Sequence, residues 1–222
     1  MLPRTVRFNP DTDEIQRPNR SQSASSSSND ESGPTLPRMN SLLLQGTCPP
    51  LDFSVPSVAL QADRRLSPEV MSKPACNPPQ THAVIRVAAA TRPDWQPTPG
   101  LCKFHVSHQP PSEPITVGDV LNAIHYHLRQ PGMSQQSLPR AEVERYHAHR
   151  VCTVDECLRR ISDPVKRMEV KNGEETKGVR VVDGLCGAVC FNGVSIQSPE
   201  LWHVNLLPSE RYANVASGAN SG

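Results

Sequence analysis

The chain of 222 residues is long enough for one domain with its own core, or for a smaller domain carrying a tail. Only 36% of the residues are hydrophobic and 4% aromatic, and 23 prolines are about twice the usual share, which excludes a chain packed along its whole length. The net charge of +1 is spread evenly (5 basic against 5 acidic residues over 1–40, 6 against 5 over 41–115, 12 against 12 over 116–222), so neither a nucleic-acid partner nor a membrane partner is expected.

The opening MLPRTVRFNPDTDE has no apolar segment of the secretory kind. The most apolar stretch, residues 83–90, is eight long and holds Arg86, far short of the ~20 residues a bilayer requires. An intracellular protein, cytoplasmic or nuclear, is therefore expected. In that compartment Cys48, Cys76, Cys102, Cys152, Cys157, Cys186 and Cys190 are thiols, and their odd number and spacing do not form a disulfide framework. The sequon Asn19-Arg20-Ser21 carries no weight without secretion.

Residues 1–40 read as a disordered tail. Seven serines in the twelve positions 21–32, among prolines and mixed charges, cannot bury enough surface to offset the entropy of ordering. Residues 41–115 are proline-rich, holding with the tail 18 of the 23 prolines, and show apolar islands at 42–44, 51–58 and 83–90. These read as short strands or extended segments between proline loops. Cys102-Lys103-Phe104-His105-Val106 alternates over a strand length.

After Ile115 the pattern becomes helical. Thr116 is the expected N-cap, with Asp119 at N3 and Ile115 and Val120 placed for a hydrophobic staple. Val117, Val120, Leu121, Ile124 and Leu128 share one face, and Pro131-Gly132 stops the helix. A second helix is predicted from near Pro139 through Ala141, Val143 and Tyr146. A third is predicted from Thr153, with Glu156 closing a capping box, Val154, Cys157, Leu158 and Ile161 as its stripe, and Asp163-Pro164 as its end. Residues 179–185, 188–191 and 201–207 are strand-length apolar runs, the last placing Trp202, Val204 and Leu206 on one face.

The expected class is α+β: a mostly antiparallel sheet with about three helices packed on one face. The expected organisation is the tail 1–40, one domain over 41–208 (a proline-rich part, 41–115, then helices and a β meander, 116–208) and a flexible C-terminal tail, 209–222.

Several of these segments resemble a known family. They are ITVGDVLNAIHYHL at 115–128, Val181-Val182-Asp183-Gly184-Leu185, Phe191-Asn192-Gly193-Val194 and Leu201-Trp202-His203-Val204-Asn205-Leu206, with MNSLLLQGTCPPLDFSV at 39–55 and Ala75-Cys76-Asn77-Pro78-Pro79 upstream. The family is an uncharacterised domain of unknown function abundant in mushroom-forming fungi, and the resemblance spans about residues 40–208. It implies a compact α+β domain and supplies no activity, cofactor or site residue.

Candidate chemistry is sparse. The pairs His105/His108, His125/His127 and His147/His149 invite a metal reading. Yet residues i and i+2 of a helix point ~200° apart, so neither helical pair chelates one ion. The spacings Cys152-x4-Cys157 and Cys186-x3-Cys190 also differ from structural zinc knuckles. The residues 193–197, Gly-Val-Ser-Ile-Gln, miss the last glycine of the hydrolase elbow and place Ser195 in a strand rather than in a strand-turn-helix. Cys157 lies on an apolar stripe and reads as inert core, Trp202 as core, and Asp119 as a cap. No phosphate-binding glycine loop and no H-E-x-x-H occurs. Ser67, in Arg64-Arg65-Leu66-Ser67-Pro68, fits a kinase site but reads more simply as a solvated loop.

No catalytic, cofactor-binding or metal-binding residue is therefore assigned, and no cofactor is expected. The functional expectation is a non-catalytic protein-interaction or scaffold module with unknown protein partners. The alternative is a small enzyme using a Cys or His of the central domain. What separates them is whether an open pocket brings a Cys or His within hydrogen-bond reach of a second polar side chain.

Overall fold

The computed structural model describes residues 36–44, 46, 51–56, 66–89, 103–110, 112–131, 140–159 and 161–212. Most of the expected tail, 1–35, lies outside the described residues, as do Cys48, Cys102 and 213–222. Backbone structure begins ahead of residue 41: β1 (Arg38–Met39) pairs antiparallel with β3 (Cys76–Asn77), Met39 is buried, and Asn40 caps a short 3-10 turn over Ser41–Leu43.

Alternation builds the main sheet. β4 (His82–Ala89) buries Ala83, Ile85 and Val87, and β7 (Leu201–Pro208) buries Trp202, Val204 and Leu206. The two run parallel, with Ile85 opposite Trp202 and Val87 opposite Val204. β6 (Ala188–Ile196) pairs antiparallel with β7, β2 (Leu51–Asp52) with β6, and β5 (Lys103–Ser107) with β4. The strand order is β2-β6-β7-β4-β5. The sheet is thus mixed, antiparallel everywhere except at β4–β7. Those two strands are far apart in the chain, and a parallel neighbour needs a long crossover, here the whole helical section.

The helices complete an α+β fold. α1 (Pro68–Met71) is a single turn whose N-cap is Ser67, its hydroxyl accepting from the Val70 N–H. Ser67 is thus a capping serine rather than part of a free loop. α2 (Val117–Leu128) starts as its sequence requires: Thr116 Oγ1 accepts from the Asp119 N–H at 3.1 Å, and Asp119 Oδ2 accepts from the Thr116 N–H at 2.9 Å. Val117, Val120, Leu121, Ile124 and Leu128 are all buried, in one cluster with Ile115 and Trp202. A Cβ on Gly118 would lie 2.9 Å from the Met71 carbonyl oxygen, so glycine there lets α2 approach α1 closely.

Four expectations are corrected. The second and third helices are one, α3 (Arg140–Leu158), uninterrupted because no proline or glycine falls inside it. Thr153 is interior, its hydroxyl turned back onto the Arg150 carbonyl at 2.9 Å. Asp163-Pro164 ends no helix but opens α4 (Pro164–Thr176), with Asp163 accepting from the Val165 and Lys166 N–H groups and Pro164 in the first turn. The apolar runs at 42–44 and 179–185 contribute 3-10 turns, Ser41–Leu43 and Val181–Leu185, rather than strands. In the second, Asp183 accepts from the Arg180 N–H at 2.9 Å and curls the backbone. Among the described residues no helix is long and apolar enough to cross a membrane.

Candidate functional site

A buried cluster of arginines joins the helices. On α3, Val143, Tyr146, Val154 and Leu158 form a buried stripe, and Arg150 falls on the same face, 0% exposed. Its Nε donates to Asp183 Oδ1 at 2.7 Å and its Nη1 to Glu174 Oε2 at 2.8 Å. Its Nη2 donates to His147 Nδ1, to the Gly178 carbonyl and to Asp183 Oδ2 at 3.0–3.1 Å. α3, α4 and the 3-10 turn at 181–185 are thus tied through one side chain.

Two further guanidiniums share Glu174. Arg129, just past α2, donates through Nη2 to Glu174 Oε1 and through Nη1 to the Ser54 carbonyl at 2.6 Å. Arg180 Nη2 lies 3.1 Å from Glu174 Oε2 and donates to the Gly173 carbonyl at 3.3 Å. Arg180 is 2% exposed, and its Nε, fully enclosed, has no hydrogen-bond partner among the described residues. Burial first, then the neighbouring Arg129 charge, pulls Arg180 down to about 10. Burial lowers Arg129 as well, against the pull of Glu174. Arg150 goes the other way: burial works against its charge, but the Asp183 hydrogen bond and the Asp183 and Glu174 charges outweigh it.

Arg129, Glu174 and Arg180 belong to the wall of a groove of about 1110 Å³ that also takes in α1, the end of β5, α2 and the groove-facing side of α4. Tyr126, Glu169 and Lys177 are exposed at its rim. His125 also lines it, its Nε2 donating to the Val55 carbonyl at 2.9 Å, and burial holds its pKa down at about 4. His108, 6% exposed, is held between two carboxylates: Nδ1 lies 2.6 Å from Asp119 Oδ2, and Nε2 lies 2.9 Å from Glu113 Oε2.

The candidate residues of the sequence scatter. His125 faces Val55 whereas His127 stacks on Phe104 at 4.3 Å, which is the divergence that i,i+2 spacing imposes. His147 meets Arg150, and His149 meets the Arg211 carbonyl at 2.6 Å and the Tyr212 ring. His105 is exposed on β5. Ser195 sits within β6 opposite His203, with no following helix. Cys157 is buried, its sulfur 3.3 Å from Arg211 Nη1, while Cys152 is exposed. Burial pushes the Cys76 and Cys190 thiols up, away from the thiolate form. Trp202 is core, its Nε1 donating to the Pro199 carbonyl at 3.2 Å, and Asp119 is the cap it was read as, with His108 as an added partner.

The arginine cluster was missed. One of its members left a signal: Arg150 occupies an apolar-stripe position of a helix, and a charge buried there requires counter-charges.

No curated protein and no solved structure matches the chain. The model of a family of unknown function, DUF6699, matches residues 3–201, reaching into the N-terminal segment ahead of the stretch that carried the resemblance. With most of its length inside that match, the chain belongs to the DUF6699 family.

Proposed function

We propose that this domain is a non-catalytic protein-interaction or scaffold module, and that the groove along α2 receives an extended segment of a protein partner. The observation that carries this reading is the groove itself. Its volume of about 1110 Å³ has room for several residues of an extended chain. Its lining mixes apolar side chains (Met71, Val106, Val170) with charged ones (Arg129, Lys177, Arg180), as a surface for a peptide does. The sheet edge at β5 is a weaker docking place, because Lys103 guards it and it spans only Lys103–Ser107. The same reading takes the protein as intracellular, with neither nucleic acid nor membrane as partner, and the family as the fungal one its motifs resemble.

The test is partner capture by the full chain from native extract, compared with two variants. Tyr126→Ala removes a rim side chain of the groove, and Met168→Ala removes an exposed apolar residue of α4 that does not line it. Loss of the same partners in the first variant alone supports the groove. Equal capture by both variants sends the interaction elsewhere.

The enzyme alternative draws on His108, which meets the condition that separates the two readings: it lies in the open groove within hydrogen-bond reach of Asp119 and Glu113. It is a groove histidine oriented by a carboxylate, which is how a general base is held. Its Nε2, the atom that would meet a substrate, is occupied by Glu113, whose side chain is 58% exposed and would have to swing aside. On the interaction reading, His108→Gln leaves capture intact. An activity of the full chain that vanishes in His108→Gln would put the enzyme reading ahead.

A further inference from the structure

We propose that the groove carries a built oxyanion site at Arg180 and Arg129, where a carboxylate or phosphate group of the occupant is anchored. This deepens the groove reading by naming the chemical group its ligand presents.

The charges converging there do not cancel. Arg129, Arg150 and Arg180 bring three positive charges into the interior, and Glu174 and Asp183 bring two negative ones. Arginine has no acceptor, so His147 Nδ1 must accept from Arg150, and that side of the ring adds no negative charge to offset the third guanidinium. His125, beside Arg129, is held neutral by its burial. Asp119, in the same groove, is already engaged by the Thr116 N–H and hydroxyl and by His108. The rim carries one charge of each sign, Lys177 and Glu169. Among the described residues the surplus is one buried positive charge.

The hydrogen bonds locate the surplus. Arg150 has acceptors for Nε and for both terminal nitrogens. Arg129 has Glu174 and two loop carbonyls, of Ser54 and Val55. Arg180 shares Glu174 with the other two and keeps an enclosed Nε without a partner among the described residues. An enclosed charged donor left unpaired is costly, and an oxygen of a planar or tetrahedral oxyanion is the acceptor a guanidinium suits best. Arg180 and Arg129 both border the groove, so the anion approaches from there, past Lys177, and because the Arg180 Nε is enclosed its arrival must displace the side chains that cover that atom.

The experiment uses the full chain with 15N-labelled arginine and follows the Nε–Hε resonances while inorganic phosphate, or separately acetate, is added at constant ionic strength. Arg180→Lys identifies the Arg180 resonance by its loss. The expected result is a saturable shift of that resonance, with phosphate alone indicating a phosphoryl source and with acetate indicating a carboxylate. Lys177→Ala, on an exposed position that leaves folding untouched, should weaken the binding about two- to fivefold. A shift equal to that given by sodium chloride alone, or none with either anion, overturns the site. If the anions fail while Tyr126→Ala still abolishes capture, the oxyanion site falls and the groove reading stands. If they bind while capture ignores Tyr126, the site stands and the protein-docking reading falls.

Discussion

At the scale of single residues, local chemistry explains most of what is buried and why. Trp202 fills the middle of the sheet, with its indole N–H returned to the Pro199 carbonyl. Trp202→Ala should cost ~3–5 kcal/mol, read as a shift of the urea midpoint, because a fully enclosed aromatic leaves a cavity that a sheet cannot close. An unchanged midpoint would mean that the core is organised around other residues. Thr116 acts more locally: its hydroxyl accepts the Asp119 N–H and donates to the Asp119 carboxylate, which in turn holds His108. Thr116→Ala should lower stability by about 1 kcal/mol. It should also change the His108 ring resonances, since the carboxylate orienting that ring loses one of its anchors.

At the scale of elements, α3 and α4 differ from α2 in what holds them. α2 presents a broad apolar face to the core. α4 buries little, with Val165 at 66% and Met168 at 58% exposed, and is held largely through Glu174. Arg150→Ala leaves Glu174 with Arg129 and Arg180 but takes from buried Asp183 its guanidinium partner. The expected loss is ~3–5 kcal/mol in chemical denaturation. Arg140→Ala, at the start of the same helix, breaks only an exposed pair with Glu144 and should change stability by less than about 0.5 kcal/mol. Similar losses at the two positions would show that α3 is held by its own propensity rather than by the cluster.

At the scale of the whole molecule, the histidine under the 51–56 segment links stability to pH. Burial lowers His125 from 6.5 to about 4, so between those values the unfolded chain takes up a proton that the folded chain refuses. The contribution is fully present above pH 6.5, drains away as the pH falls through the window, and is flat below about 4. It amounts to up to about 3 kcal/mol. His203, lowered by burial and by Arg86, acts in the same direction. Thermal unfolding from pH 7.5 to 4 should show the decline, and His125→Asn, which keeps a donor near Val55 but does not titrate, should flatten it. A curve of unchanged steepness would remove His125 as its source.

Much of this architecture was readable along the chain, and the readable part has a common cause. The Thr116–Asp119 capping box, the α2 stripe and the period-two faces of β4 and β7 are each written within a few residues, where sterics and hydrogen bonding act directly. The seven-residue run at 179–185 fails as a strand because Asp183 turns back to the Arg180 N–H and out to Arg150, 33 residues away. α4, with so few apolar positions, owes its place to Glu174, which meets Arg129 across 45 residues and Arg150 across 24. The parallel contact of β4 with β7 joins segments more than a hundred positions apart. Local sequence thus determined the α+β class, the cap of α2 and the strand faces. The groove, the arginine cluster and the Arg180 Nε, unpaired among the described residues, were decided only by the tertiary structure, because each exists where side chains distant in sequence are brought together and desolvated.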